Sequence, residues 1–112
     1  MRRLTVVQLL PALASGGVER STLEIAAALV AAGHASHVVS AGGRLVPTLE
    51  AQGSTHHALA IGAKSLATPF KALALRRLLR SLAPDIVHAR SRLPAWVGLA
   101  ALRGLAPRPA FI

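Results

Sequence analysis

Short apolar runs alternate along this chain with segments of helical periodicity, and glycine or proline stands at most of the junctions. That alternation leaves few folds open. Residues 4–10 (LTVVQLL) form a nearly continuous apolar run, as in a strand buried on both faces. Residues 11–17 read as a loop ending in Ser15, Gly16 and Gly17. A helix is predicted over 18–32, with Val18, Thr22, Ile25 and Leu29 on its apolar face, Ala26 beside them and Gly33 as its stop. Residues 35–40 (ASHVVS) make a second strand and 44–52 a short second helix closed by Gly53. A third strand spans 56–61, followed by a loop over 62–68 that carries Lys64 and Ser65. Pro69 then opens the clearest helix, 70–82. Leu75, Leu78, Leu79 and Leu82 take its apolar side, and Arg76, Arg77 and Arg80 the other. Residues 85–89 (DIVHA) read as a fourth strand, 93–103 as a fourth helix and 109–112 as the start of a fifth strand.

Strands and helices in strict alternation predict an α/β fold of Rossmann-like kind. It is an open parallel sheet with helices on both faces and right-handed crossovers. The 112 residues suffice for one domain. A strand ending at Ile112 leaves apolar surface without a successor, which reads as an incomplete domain. The basic start Met1-Arg2-Arg3 before an apolar run imitates a secretion signal, but Gln8 and Pro11 interrupt that run. The strand reading is preferred, because a helix follows Gly17 directly and completes a strand-loop-helix unit.

Composition narrows the chemistry. There is no cysteine, which removes disulfides, thiolate catalysis and cysteine-metal sites. The five histidines show no metal-ligand spacing, so no metal is expected. Lys and Arg number 13 against 4 Asp and Glu, a formal charge of +9, so a partner of negative charge is expected. Aromatics are only 3%, too few for the stacking platforms of single-strand nucleic-acid binders, and no nucleic-acid partner is expected. No segment is a continuous apolar stretch of membrane-spanning length.

In open α/β sheets ligands sit beyond the carboxyl ends of the strands. The loops predicted there carry Gly16, Gly17, Arg44, Lys64, Ser65, Arg90, Ser91 and Arg92, with Arg20 one turn into the first helix. Glycine and cations on one rim suit a phosphorylated or carboxylated ligand. The rim does not spell a dinucleotide fingerprint or a P-loop, because neither G-x-G-x-x-G nor G-x-x-x-x-G-K-[ST] occurs. Glu19 suits the positive end of a helix dipole. His34 lies in a turn and reads as structural. His56 and His57 must face opposite sides of their strand. His88, at a strand end, reads first as a hydrogen-bonded structural histidine. Arg76, Arg77 and Arg80 offer a helix face for anionic lipid.

Three segments carry a family resemblance. Leu10 to Glu24 contains Gly16-Gly17-Val18-Glu19 between first strand and first helix. Ala31-Ala32-Gly33-His34 precedes the second strand, and Pro84-Asp85-Ile86-Val87-His88-Ala89 forms the fourth. Together, and in this order, they resemble the N-terminal, acceptor-side domain of family-4 glycosyltransferases of the GT-B type. The resemblance implies two Rossmann-like domains facing a cleft, with the donor-binding C-terminal domain outside this chain. It implies sugar transfer from a nucleotide-sugar co-substrate, with no cofactor and no metal. Gly16 and Gly17 would approach the donor diphosphate, with Ser15, Glu19 and Arg20 as cleft candidates. Lys64, Ser65, His88, Arg90, Ser91 and Arg92 would meet an anionic glycan or glycolipid acceptor, as in envelope or lipopolysaccharide synthesis. The implied location is the cytoplasm, with peripheral attachment to an acidic inner membrane face as a further expectation. By itself the chain is expected to be inactive.

Two rival readings belong to other classes. A stand-alone basic module would hold acidic membrane or nucleic acid through charge alone and would tolerate bulk at Gly16 and Gly17. A sugar-nucleotide epimerase of GT-B architecture would release a free sugar epimer rather than a glycoside.

Overall fold

The computed structural model describes residues 3–13, 17–59, 68–90 and 109–112, with the side chains of 68 and 69 outside that description. Its elements are β1 (Thr5–Leu9), α1 (Gly17–Ala31), β2 (Ala35–Ser40), α2 (Val46–Ala51), β3 (Thr55–Ala58), α3 (Thr68–Leu82), β4 (Ile86–Ala89) and β5 (Ala110–Phe111). All strand pairs are parallel, and the 5-stranded sheet runs in the order β3-β2-β1-β4-β5. The expected α/β Rossmann-like class is therefore present. The predicted fourth helix lies outside the described residues.

The apolar run at the N-terminus becomes the central strand. Val6, Val7, Gln8 and Leu9 of β1 are all buried, as a strand covered on both faces requires. On one face Val7, Leu9, Val39 and Val87 pack under Ala72, Leu75 and Leu79 of α3, with Leu78 and Leu82 at the margin. That stripe is the predicted one. On the other face Leu10, Leu13, Val38 and Leu49 meet Ala26, with Leu23 beside them.

The apolar face of α1 is the expected one at Thr22 and Ala26 and departs from it at Val18. Its buried residues are Thr22 and Ala26, while Val18 is 42% exposed. Gln8 explains the turn of the helix. Its Nε2 donates to the Thr22 carbonyl at 3.3 Å, so α1 settles on the sheet through small side chains above a polar one. Thr22 hides its own hydroxyl by donating to the Val18 carbonyl at 2.8 Å.

Two of the family-like segments have structural duties at the amino end of the sheet. His34 Nδ1 accepts the Leu4 N–H at 3.0 Å, and Asp85 Oδ2 accepts the Thr5 N–H at 2.8 Å. Each ties the start of the central strand to a flanking segment. The turn before His34 needs Gly33, whose φ is +87°.

Helix α3 ends on Ala83, a non-glycine residue at φ +49° whose N–H donates to the Leu79 carbonyl at 2.8 Å. This is the left-handed position that glycine usually fills after a helix. Ala83→Gly is expected to stabilise the protein by about 1 kcal/mol, since the left-handed backbone penalises a Cβ by that order. Urea denaturation would show a higher midpoint at unchanged slope.

Candidate functional site

The strand order reverses direction between β1 and β4, and a crevice forms outside the carboxyl ends of strands at such a point. The loop after β1 leads to Gly17, the first residue of α1. The chain after β4 leads to Arg90, whose N–H donates to the Leu9 carbonyl at 2.8 Å and so continues the ladder beside β1. The topology thus brings Gly17 and Arg90 to the two sides of one crevice, although they are far apart in sequence.

Arg90 is held in place. Its guanidinium donates to the Ser21 hydroxyl on α1 in a close contact. Glu19 is half-buried in the first turn of α1, and Arg20 is exposed. Gly17 is exposed, and a Cβ built on it would meet no heavy atom within 4 Å. Nothing in the fold therefore demands glycine there, and the space over its backbone is open.

Behind the rim, β1 and β4 place Gln8 beside His88 in register on the α1 face. Gln8 is fully buried, and its Oε1 has no hydrogen-bond partner among the described residues. The His88 ring makes no hydrogen bond to a described residue. Partial burial, then the nearby positive charge of Arg90, hold its pKa below the ordinary histidine value. It stays a neutral ring beside a fixed cation.

The loops after β1 and β2 are laced together. Leu13 N–H donates to the Gly42 carbonyl at 2.8 Å, Leu45 N–H to the Leu13 carbonyl at 2.9 Å, and Ala41 N–H to the Pro11 carbonyl at 2.9 Å. The Leu13 side chain is fully buried beneath them. Ser40 closes this end, bonded to His56 Nε2 at 2.7 Å and accepting the Gly42 N–H at 3.0 Å. The rim that leads to Gly17 is thus anchored on its β2 side. Ser15, Gly16, Lys64, Ser65, Ser91 and Arg92 lie outside the described residues.

Sequence reading overlooked Gln8, Ser21 and Ser40. The signal for Gln8 was present: an amide inside an apolar strand must find a partner or a ligand. Ser21 and Ser40 gave no such signal, because a serine is common both in a helix and at a strand end.

His56 and His57 do face opposite sides. His57 turns to His37, with Nε2 and Nδ1 3.0 Å apart and the rings stacked at 5.2 Å. Burial is the first cause that lowers the pKa of His37, His56, His57 and His88 alike. The folded chain therefore takes up protons less readily than the unfolded one. Stability is expected to be full above the ordinary histidine value of 6.5 and to be lost as pH falls below it, towards the lowered folded values. Thermal melts at pH 7.5 and 5.5 would show the lower midpoint at 5.5. Among the described residues no group of three histidines or carboxylates could hold a metal ion.

Comparison with known proteins decides the family. The sequence profile of Glycosyltransferase Family 4 matches residues 15–112. The chain belongs to that family. The crystal structure of a glycosyltransferase from Rickettsia africae ESF-5 superposes with a TM-score of 0.85 at 34% sequence identity. That match covers 99% of this chain and 29% of the other. No curated protein matches. The family-4 assignment and the Rossmann-like sheet agree, and both direct attention to the β1–β4 crevice.

Helix α3 exposes two large apolar side chains. Phe70 is 75% and Leu73 42% exposed. Helical spacing places both in one stripe with the exposed Arg77 and Arg80. Arg76 departs from the expected cationic face: it lies on the flank, half-buried and with a partner. No helix among the described residues is long and apolar enough to cross a membrane.

Proposed function

We propose that this chain is the acceptor-side domain of an enzyme that moves a sugar from a nucleotide-sugar to an anionic, lipid-linked glycan acceptor. The observation that carries the reading is the reversal of strand order between β1 and β4, with an open glycine on one side of it and an anchored arginine on the other. Gly16 and Gly17 let the donor diphosphate approach the backbone. The amides at the start of α1 then offset the charge that builds on the leaving phosphate as the bond from the sugar's anomeric carbon to that phosphate breaks. The acceptor oxygen bonds the same carbon and gives up its proton.

Arg90 supplies the charge for an anionic acceptor, oriented by Ser21 so that little side-chain freedom is lost on binding. His88 lines the same approach. Lys64, Ser65, Ser91 and Arg92 belong to the acceptor loops in this reading, and Ser15, Glu19 and Arg20 to the donor side. The donor-binding half lies in a second domain beyond this chain.

The α3 stripe supports work at an acidic membrane surface, since Phe70 and Leu73 can enter the headgroup layer while Arg77 and Arg80 meet lipid phosphate. The test is sedimentation of the full-length protein with vesicles containing anionic lipid. Wild type is expected to bind these and to ignore neutral vesicles. Phe70→Ser with Arg77→Glu is expected to lose about tenfold or more in affinity, with each basic residue counting for about 1 kcal/mol. Equal binding of wild type and variant would remove the membrane from the proposal and leave the transferase standing.

A further inference from the structure

A second site lies at the opposite end of the sheet. A recess of about 290 Å³ opens at the amino ends of β2 and β3, lined by Arg3, Gly33, His34, Ser36, His37 and Thr55 among others. The strands run their whole length between it and the crevice, roughly 20 Å for a strand the size of β2. It is no part of the proposed donor or acceptor machinery.

The wall of the recess is one-sided in charge. Arg3, His34 and His37 line it, and among the described residues no carboxylate does. His34 uses Nδ1 to accept the Leu4 N–H, so its neutral form carries the proton on Nε2, a donor without a partner among the described residues. His37 is fixed from behind by the His57 ring at 3.0 Å. His57 in turn feels His56 and, in the opposite sense, Glu50. Arg3 brings a standing positive charge to this wall, and the imidazole rings add N–H donors beside it, a set that suits an anion.

We propose that this recess binds a phosphate-type oxyanion, held by the Arg3 guanidinium and by ring N–H groups of His34 and His37. Burial first, then His57 and then Arg3 lower the pKa of His37, and a bound anion opposes the effect of the two neighbours. Binding therefore raises the His37 titration midpoint. By linkage, affinity increases as pH falls through the histidine range. The glycine at position 53 keeps the floor of the recess close to α1: a Cβ there would come within 2.8 Å of Val30 Cγ1.

The test follows the histidine ring resonances of the full chain by NMR during titration with inorganic phosphate, sulfate and glycerol phosphate, at ionic strength held constant with chloride. Sulfate keeps its charge across the pH range used, so it separates histidine titration from that of phosphate. The expected result is saturable movement of the His34 and His37 signals and an upward shift of the His37 midpoint. Affinity should fall fivefold or more in Arg3→Gln and be lost in Thr55→Glu, which puts a carboxylate on the exposed rim. Both positions are exposed, and an unmoved His56 signal confirms the fold. Tighter binding of glycerol phosphate than of phosphate would make the ligand a phosphate ester, and equal binding a free oxyanion. Shifts that chloride reproduces, or affinities untouched in Arg3→Gln, would overturn the proposal.

Discussion

Leu9→Ala is expected to cost the fold about 2–5 kcal/mol, the range for emptying a buried leucine site. Leu9 is fully buried in the central strand and packs with Val39, Ala72, Leu75, Leu79 and Val87. Its neighbours come from two adjoining strands and one helix, so the site cannot collapse by moving one side chain. Domains of this size are held by only about 5–15 kcal/mol in all. The urea midpoint should fall steeply at unchanged slope. A loss below 1 kcal/mol would mean that β1 is not the centre of the core.

The second large effect concerns activity. Gly17→Val is expected to leave the melting temperature nearly unchanged, because a Cβ at Gly17 meets no heavy atom within 4 Å. Its backbone is not in the left-handed region, so a side chain adds no strain of that kind. The same side chain fills the space over the backbone that a diphosphate would use. Turnover by the full-length enzyme should drop about a hundredfold or more, the scale of losing a backbone-type stabiliser of developing charge. A charge-only binding module predicts no functional loss. Steady-state kinetics together with a thermal melt separates the two outcomes.

Much of the fold was legible because local signals agreed. The second strand was read with the observed bounds, Ala35–Ser40, since Gly33 before it and Gly42 after it both need positive φ. The leucine stripe of α3 was read correctly because four leucines at helical spacing admit one buried side. The face of α1 was read correctly at Thr22 and Ala26 and missed at Val18, because the seat of the helix depends on Gln8, a residue of another element. Hydrophobicity alone could not show that Val18 would stay exposed.

The site was legible in part for a similar reason. Gly17 and Arg90 could be placed at strand ends from sequence, but that they face one crevice depends on the order β3-β2-β1-β4-β5. The clasp between Arg90 and Ser21 joins residues 69 apart in sequence and leaves no local trace. The recess around Arg3, His34 and His37 draws on loops before three strands, so no motif could announce it. Short motifs record turns and caps well, such as Gly33-His34 and Pro84-Asp85. Sites assembled across the sheet they record only by resemblance.

The central claim is sugar transfer at the β1–β4 crevice, and product analysis tests it most directly. The full-length protein is incubated with a panel of nucleotide-sugars and an anionic lipid-linked acceptor, and the products are identified by mass spectrometry. The account predicts a glycoside of the acceptor and release of the nucleoside phosphate from one donor, with both reduced about a hundredfold or more in Gly17→Val. A folded wild-type protein that consumes no donor in the panel, or that returns only a free sugar epimer, would contradict it.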